Sequence, residues 1–344
     1  MKKTIMLVFM VLLFGLVGLG CSQASTGSDS EKDESTGTTE TQEVASADYP
    51  SKPIEILVPF AAGGSTDTTA RVLSKYLPKY LPNEVNIVIV NKPGAGGTIA
   101  ATDLFKAEPD GYTLELATHR SIAMQPVYGQ TEYSYDSFQP IAKVTTEQQV
   151  MAVRADAPWD TFEDWLDYVN ENPGQFTYAV SGGIGSGSHL PMAELEMEAE
   201  FEATAVAYDG TAPAMTAVLG GQVDGAIGQP SSVKGFVESG EMKMLFNAGA
   251  TPVPYAPEVP LLIDKGYDIA YDSNASLLAP NGIPEEVLTI LEAALEEALA
   301  DPDLLAELEN VDIQVDYKPA EGVQEELTEE YNKSKDVLTK LGLI

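Results

Sequence analysis

Two stretches of this sequence contain the residue types from which a small anion site is built. In the first, Val58-Pro59-Phe60-Ala61-Ala62-Gly63-Gly64-Ser65-Thr66-Asp67 follows an apolar extended run that includes Ile54, Ile56 and Val58. It leads into a segment where Ala70, Leu73 and Leu77 recur at helical spacing. In the second, Ser181-Gly182-Gly183-Ile184-Gly185-Ser186-Gly187-Ser188-His189 joins the strand Phe176–Val180 to a helix with Leu190, Met192 and Leu195. Glycine permits left-handed backbone and close approach of a ligand. A helix start leaves N–H groups unpaired, and its macrodipole favours negative charge. One such loop is equally well read as a plain turn. Two at equivalent points of two βα units point to a pair of anion holes facing each other across a cleft, suited to a ligand with a carboxylate at each end.

Other chemistries lack their parts. No lysine follows Gly64, so the first loop is not a phosphate-binding P-loop. No Gly-x-Ser-x-Gly elbow occurs and the only histidines are His119 and His189, which makes a hydrolase the least favoured reading. Two isolated histidines and one cysteine do not make a zinc set, and the carboxylates show no calcium-loop spacing. We therefore expect no metal, no cofactor and no enzyme activity. Thr118-His119-Arg120-Ser121 sit at the carboxyl end of the strand Thr113–Ala117, where open α/β sheets bind ligands. Arg120 offers a fork for a carboxylate, although pairing with one of the many acids is the plainer reading, and His119 reads as a loop residue. Trp159, Phe162, Trp165, Leu166 and Val169 have the spacing of an amphipathic core helix, so neither tryptophan is assigned to a ligand.

The 344 residues allow two domains with a substantial core. A net charge of -34 with only 19 Lys and Arg argues against nucleic acid and against anionic membrane surfaces. The acidity reads as a solvated surface. An anion is held against it by backbone donors acting at contact range, since the wider field is screened over roughly 10 Å.

Four parts follow in chain order. Residues 1–20 read as a targeting signal, with basic Lys2-Lys3 and an apolar run from Ile5 to Leu19 that is too short for a comfortable span. Cys21 is the only cysteine, and its place resembles the lipidation site of a bacterial lipoprotein; Gly18 stands where such signals usually have leucine. Residues 21–48 form a polar acidic tether. The folded part is expected as one lobe from 49–152 plus 273–344 and a second from 153–272, with helices from Pro284 onward and a last helix, Gly322–Leu341, on the first lobe.

Four further strings complete a pattern: Pro93-Gly94-Ala95-Gly96-Gly97, Pro109-Asp110-Gly111-Tyr112-Thr113, Tyr208-Asp209-Gly210-Thr211-Ala212-Pro213 and Leu219-Gly220-Gly221-Gln222-Val223-Asp224-Gly225. With the first loop they resemble the extracytoplasmic solute-binding proteins of tripartite tricarboxylate transporters, over nearly all of Tyr49 to Ile344. The resemblance implies a two-lobed α/β fold of the type II periplasmic-binding kind. Each lobe would be a mostly parallel sheet flanked by helices, joined by a two-strand hinge. It also implies a small organic carboxylate as ligand, a separate membrane permease as partner, and backbone N–H groups with ordered water as the ligand contacts. That role falls on Gly63, Gly64, Ser65, Thr66 and Asp67, and on Ser181, Gly182, Gly185, Ser186 and Ser188. Phe60, Thr118, Arg120, His189, Tyr208, Gly210 and Asp224 complete the candidate site. Asp209 departs from the family, which often has a basic residue there; it suits an ammonium group or only reflects the acidic surface. The expectation is a lipid-anchored extracytoplasmic monomer that binds a di- or tricarboxylate, an acidic amino acid or an aromatic acid. A sensory protein of the same fold, presenting its ligand to a receptor or kinase, is the alternative.

Overall fold

The computed structural model describes residues 48–344. The first lobe opens with β1 (Ile54–Val58), α1 (Ser65–Tyr76), β2 (Ile87–Asn91), α2 (Thr98–Phe105), β3 (Thr113–Thr118), α3 (His119–Ala123) and β4 (Phe138–Glu147). The chain then crosses into β5 (Val150–Arg154), α4 (Phe162–Glu171), β6 (Thr177–Ser181), α5 (Leu190–Glu198), β7 (Thr204–Tyr208), α6 (Thr211–Leu219), β8 (Gly225–Gly228), α7 (Pro230–Glu238) and β9 (Met242–Asn247). It returns through β10 (Ser273–Pro280), α8 (Glu285–Leu299), α9 (Pro302–Glu309), β11 (Gln314–Pro319) and α10 (Ala320–Lys340).

The strands form two sheets, in the orders β11-β4-β10-β3-β1-β2 and β7-β6-β8-β5-β9. Each has a parallel half: β1 lies between β2 and β3, and β6 between β7 and β8. The other half is antiparallel, because the strands that carry the chain between the lobes run against those built by βαβ crossovers. The two halves place β1 and β6 at equivalent positions, so the loops that follow them emerge at equivalent edges. β5 pairs wholly within the second sheet, which puts the first crossing at Gln148-Gln149.

Periodicity explains the cores. Ile54, Ile56 and Val58 of β1 enter one apolar cluster with Leu73, Leu291 and Leu295, while Leu57 points to the opposite cluster. Val287, Leu291, Ala294, Leu295 and Ala298 form the buried stripe of α8, as its spacing predicts. In the second lobe Thr161 and Asp164 make a reciprocal cap at the start of α4, and Phe162, Trp165 and Val169 are buried. Trp159 precedes the helix but shares its core, against Phe176 and Tyr168.

The last helix departs from expectation. Val323 and Leu327 pack in the first lobe with Leu57 and Leu278. Val337 and Leu338 join the cluster of Trp165 and Phe246 in the second. At 1.5 Å per residue a helix of this length spans about 30 Å, enough to reach both lobes. Lys333 adds a hydrogen bond from Nζ to the carbonyl of Ala270 at 3.0 Å. Thus α10 braces the first lobe against the second.

Within the first lobe Glu115 of β3 is completely buried, and neither carboxylate oxygen has a partner among the described residues. Burial, with a smaller contribution from Asp103, pushes its carboxyl well above the usual range. Replacing it by Glu115→Met removes two unsatisfied oxygens, each costing on the order of 1–3 kcal/mol. The variant is expected to melt higher than the parent in calorimetry, with a gap that widens above pH 5, where the parent must keep a proton that the unfolded chain releases.

Candidate functional site

The first loop does what its composition predicts, with one difference in the cap. Gly64, in extended conformation, is the residue before α1, and no side chain caps the helix. The first intrahelical partner is found by Thr68, whose N–H donates to the carbonyl of Gly64 at 2.9 Å. The N–H groups of Ser65, Thr66 and Asp67 are therefore left facing outward. Gly63 turns the chain at φ +87°, and its N–H donates to Asp67 Oδ2 at 2.9 Å. Asp67 braces the loop: its carboxylate also accepts from Arg71 Nε and Asn91 Nδ2, both at 2.9 Å. Burial raises its pKa, but these hydrogen bonds outweigh burial and hold the carboxyl below its ordinary value.

The second loop is knitted differently. Gly182, at φ +85°, donates its N–H to the carbonyl of Tyr208 at 2.9 Å. Ser186 and Ser188 both donate their hydroxyls to the carbonyl of Ser181, at 2.8 and 2.7 Å. Ser186 N–H bonds Gly183 and His189 N–H bonds Ser186, whereas the N–H groups between them, on Gly187 and Ser188, have no backbone acceptor.

One cleft gathers residues from both loops: Phe60, Gly64, Ser65, Thr66 and Asp67 from the first, and Ser181, Ser186, Gly187 and Ser188 from the second. Thr118 and Arg120 line it as expected, with His119 and Ser121 beside them. Gly63, Gly182 and Gly185 shape the loops without lining the cleft. His189 is also outside it, its ring stacked parallel to Tyr178 at 6.5 Å. Tyr208, Asp209 and Gly210 are not among the residues that line the cleft, and Asp209 is exposed. Asp224 lies elsewhere: it accepts from the N–H and hydroxyl of Thr177, at 2.8 and 2.7 Å, next to a separate depression lined by Arg154 and Trp159. The sequence reading missed Gln149, Thr211, Gln229, Asp272 and Glu330, all of which line the cleft. Gln149 and Asp272 adjoin the two crossings, so the strand pattern marked their neighbourhood. Glu330 sits in a helix of many glutamates and carried no signal.

The lobes are closed on each other. Ala61 N–H of the first donates to the carbonyl of Asp209 in the second at 3.0 Å. The hydroxyl of Tyr128 donates to the carbonyl of Gly185 at 3.1 Å. Gly96 and Gly182 meet backbone to backbone: a Cβ on Gly182 would lie 3.3 Å from Gly96 Cα. A Cβ on Gly187 would lie 2.3 Å from Cδ of Arg120.

The charges in the cleft are largely spent. Arg120, only 7% exposed, donates from Nε to Glu330 Oε1 at 3.1 Å and lies over the ring of Tyr271 at 4.6 Å. Thus it is both a cleft residue and a paired arginine. Burial lowers the pKa of His119 to about 4, so its imidazole is neutral. Its Nε2 lies 2.7 Å from the hydroxyl of Ser276. What this cleft offers an anion is therefore N–H groups at short range more than net positive charge.

A profile of the tripartite tricarboxylate transporter family receptor matches residues 69–343. The chain belongs to this family. A UPF0065 protein encoded in the gbd 5′ region of Cupriavidus necator is 32% identical over 301 residues, covering 86% of this chain and 89% of that protein. The periplasmic binding protein BugD has a solved structure with a TM-score of 0.80 at 30% identity, covering 86% of this chain and 99% of its own. MatC from Rhodopseudomonas palustris, solved with bound malate, has a TM-score of 0.77 at 28% identity, with 84% of this chain and all of the other covered. These likenesses make the receptor family one of binding proteins rather than enzymes and agree with the two-lobed fold described above.

In this family member one more group ties the lobes together. Glu147, at the end of β4, is 4% exposed and accepts hydrogen bonds from Ser65 at the head of α1 and from Ser231 in α7. Burial raises its pKa from 4.5 to about 8, only partly offset by the bonds from Ser231, and Asp312 adds to the rise. A folded pKa above the unfolded one means that folding takes up a proton in between. The contribution of Glu147 to stability is complete below about pH 4.5 and is lost as the pH rises through about 8. The melting temperature is expected to fall across that window less steeply in Glu147→Gln than in the parent, as followed by circular dichroism.

Proposed function

We propose that this protein is an extracytoplasmic solute-binding lipoprotein that captures a small carboxylate-bearing organic anion between its lobes and delivers it to a tripartite tricarboxylate-type permease. The observation that carries this reading is the convergence of the two glycine and hydroxyl loops on one cleft, each presenting free N–H groups. Arg120, neutralised by Glu330, positions the wall of the second loop and is not the main anchor of the ligand. The ligand contacts in this reading are the N–H groups of Ser65, Thr66, Asp67, Gly187 and Ser188, with the hydroxyls of Thr66, Thr118 and Ser181. The binding of malate by MatC supports a carboxylate ligand. Closure around that ligand is what the permease would recognise.

Cys21 and the segments before and after it lie outside the described residues. No described helix is long and apolar enough to cross a membrane. In this proposal the lipid on Cys21 supplies the attachment, with 22–48 as its tether. Partition into the detergent phase of a Triton X-114 extract is expected for the protein made in a bacterial host and is expected to be lost in Cys21→Ser.

The binding reading is tested by a thermal-shift screen against mono-, di- and tricarboxylates and amino acids. A ligand at about 100 times its Kd adds about 2.7 kcal/mol to stability, a shift of several degrees for a protein of this size. At least one carboxylate is expected to give such a shift, and Gly187→Val, whose side chain takes the space of Arg120, is expected to lose it. A folded protein that responds to no organic anion contradicts the proposal.

A further inference from the structure

The proposed function leaves the groups between the carboxylates unspecified, and the hydrogen-bond balance of the cleft bears on them. Resting on that carboxylate reading, we infer that the ligand also carries a hydrogen-bond donor, a hydroxyl or an ammonium group, and that Gln149 and Asp272 receive it. A plain dicarboxylate offers acceptors alone. The cleft offers more than donors.

Gln149 is 2% exposed and lines the cleft. Its Nε2 donates to the carbonyl of Gly187 at 3.3 Å, and because a carbonyl only accepts, this bond fixes which end of the amide is which. The other end, Oε1, is buried and has no partner among the described residues. A buried acceptor without a donor is costly and is rare in native proteins. Asp272 also lines the cleft; one oxygen accepts from the N–H of Ala250 at 3.1 Å, and no described lysine, arginine or histidine lies within ion-pair distance. The two residues stand at the two crossings, with the segment of Ala248 paired between them. The carbonyl of Gln149 accepts from Ala248 N–H at 2.7 Å, and the carbonyl of Ala248 accepts from Tyr271 N–H at 2.6 Å.

The serines of the cleft add to the same balance. Ser121, Ser186 and Ser188 spend their hydroxyl hydrogens on the carbonyls of Thr118 and Ser181, at 2.7, 2.8 and 2.7 Å. Only their lone pairs remain for a ligand. Among these groups the donors are the N–H groups of the two loops, and the acceptors are Gln149 Oε1, Asp272 and the hydroxyls of Ser121, Ser186 and Ser188. A carboxylate fits the first set. A hydroxyl or ammonium close to that carboxylate fits the second, and an ammonium also meets the charge of Asp272.

The test compares acids that share a skeleton and differ in the donor: malate and aspartate against succinate, glutamate against glutarate, and citrate against tricarballylate. Affinities are measured by calorimetry on the purified protein. The donor-bearing member of the pair that binds is expected to be tighter by at least about tenfold, the range set by one unpaired buried polar group. Malate ahead of aspartate assigns the donor as a hydroxyl, and aspartate ahead of malate as an ammonium. In Gln149→Met or Asp272→Asn the preference is expected to shrink to a few-fold while the donor-free acid keeps its Kd. Equal affinity within every pair in the parent overturns the inference and leaves the carboxylate reading standing. Variants that weaken both members of a pair alike overturn the roles of Gln149 and Asp272. A folded protein that binds none of these acids overturns this inference together with the reading beneath it.

Discussion

A helix that starts at the end of a buried parallel strand cannot satisfy its own first N–H groups, and this constraint governs the molecule. In α1 the helix begins without a side-chain cap, so the donors of Ser65, Thr66 and Asp67 stay open. They are kept in place by Asp67, which ties together Gly63, Arg71 and Asn91 in place of capping the helix. The second lobe repeats the solution with Gly187 and Ser188, and the equivalent positions of β1 and β6 in their sheets bring the two sets to one cleft. In the function proposed above, an anion between them completes bonds that neither lobe makes alone. Under that proposal closure and binding are one event, because the ligand is part of the interface.

That arrangement also reconciles anion binding with a net charge of -34. The sequence has three arginines, and each is held by a carboxylate: Arg71 by Asp67, Arg120 by Glu330 and Arg154 by Asp156. A site built on unpaired guanidinium groups would be open to quenching by the many acids around it. Backbone dipoles are not neutralised in this way, and they act at contact range where the wider field is already screened. The buried neutral His119 belongs to the same logic, since the site does not depend on its charge.

The two crossings and α10 join the lobes. Glu147 links Ser65 to Ser231 beside the first crossing, and Lys333 of α10 holds Ala270 beside the second. Glu330, three residues earlier on the same helix, holds Arg120 in the cleft. The hinge is therefore not two bare strands but two strands braced by a helix that touches both cores.

Much of this was legible in the sequence, because the features concerned are local. Strand periodicity identified β1 and β6, helical spacing identified α4 and α8, and glycine and hydroxyl residues at the strand-to-helix turns identified both loops. Those properties follow from backbone geometry and need no partner. Tertiary structure decided everything that depends on which turn meets which. It buried Arg120 against Glu330, turned Asp67 into a brace, left Asp224 outside the cleft with Thr177, and brought Gln149 and Asp272 into it from crossings whose sequences look ordinary. It also carried α10 across to the second lobe, since its apolar positions specify a buried stripe but not which core buries it. A side chain's type sets what it can bond. Only the packed fold sets which partner arrives, and so which atoms are left over for a ligand.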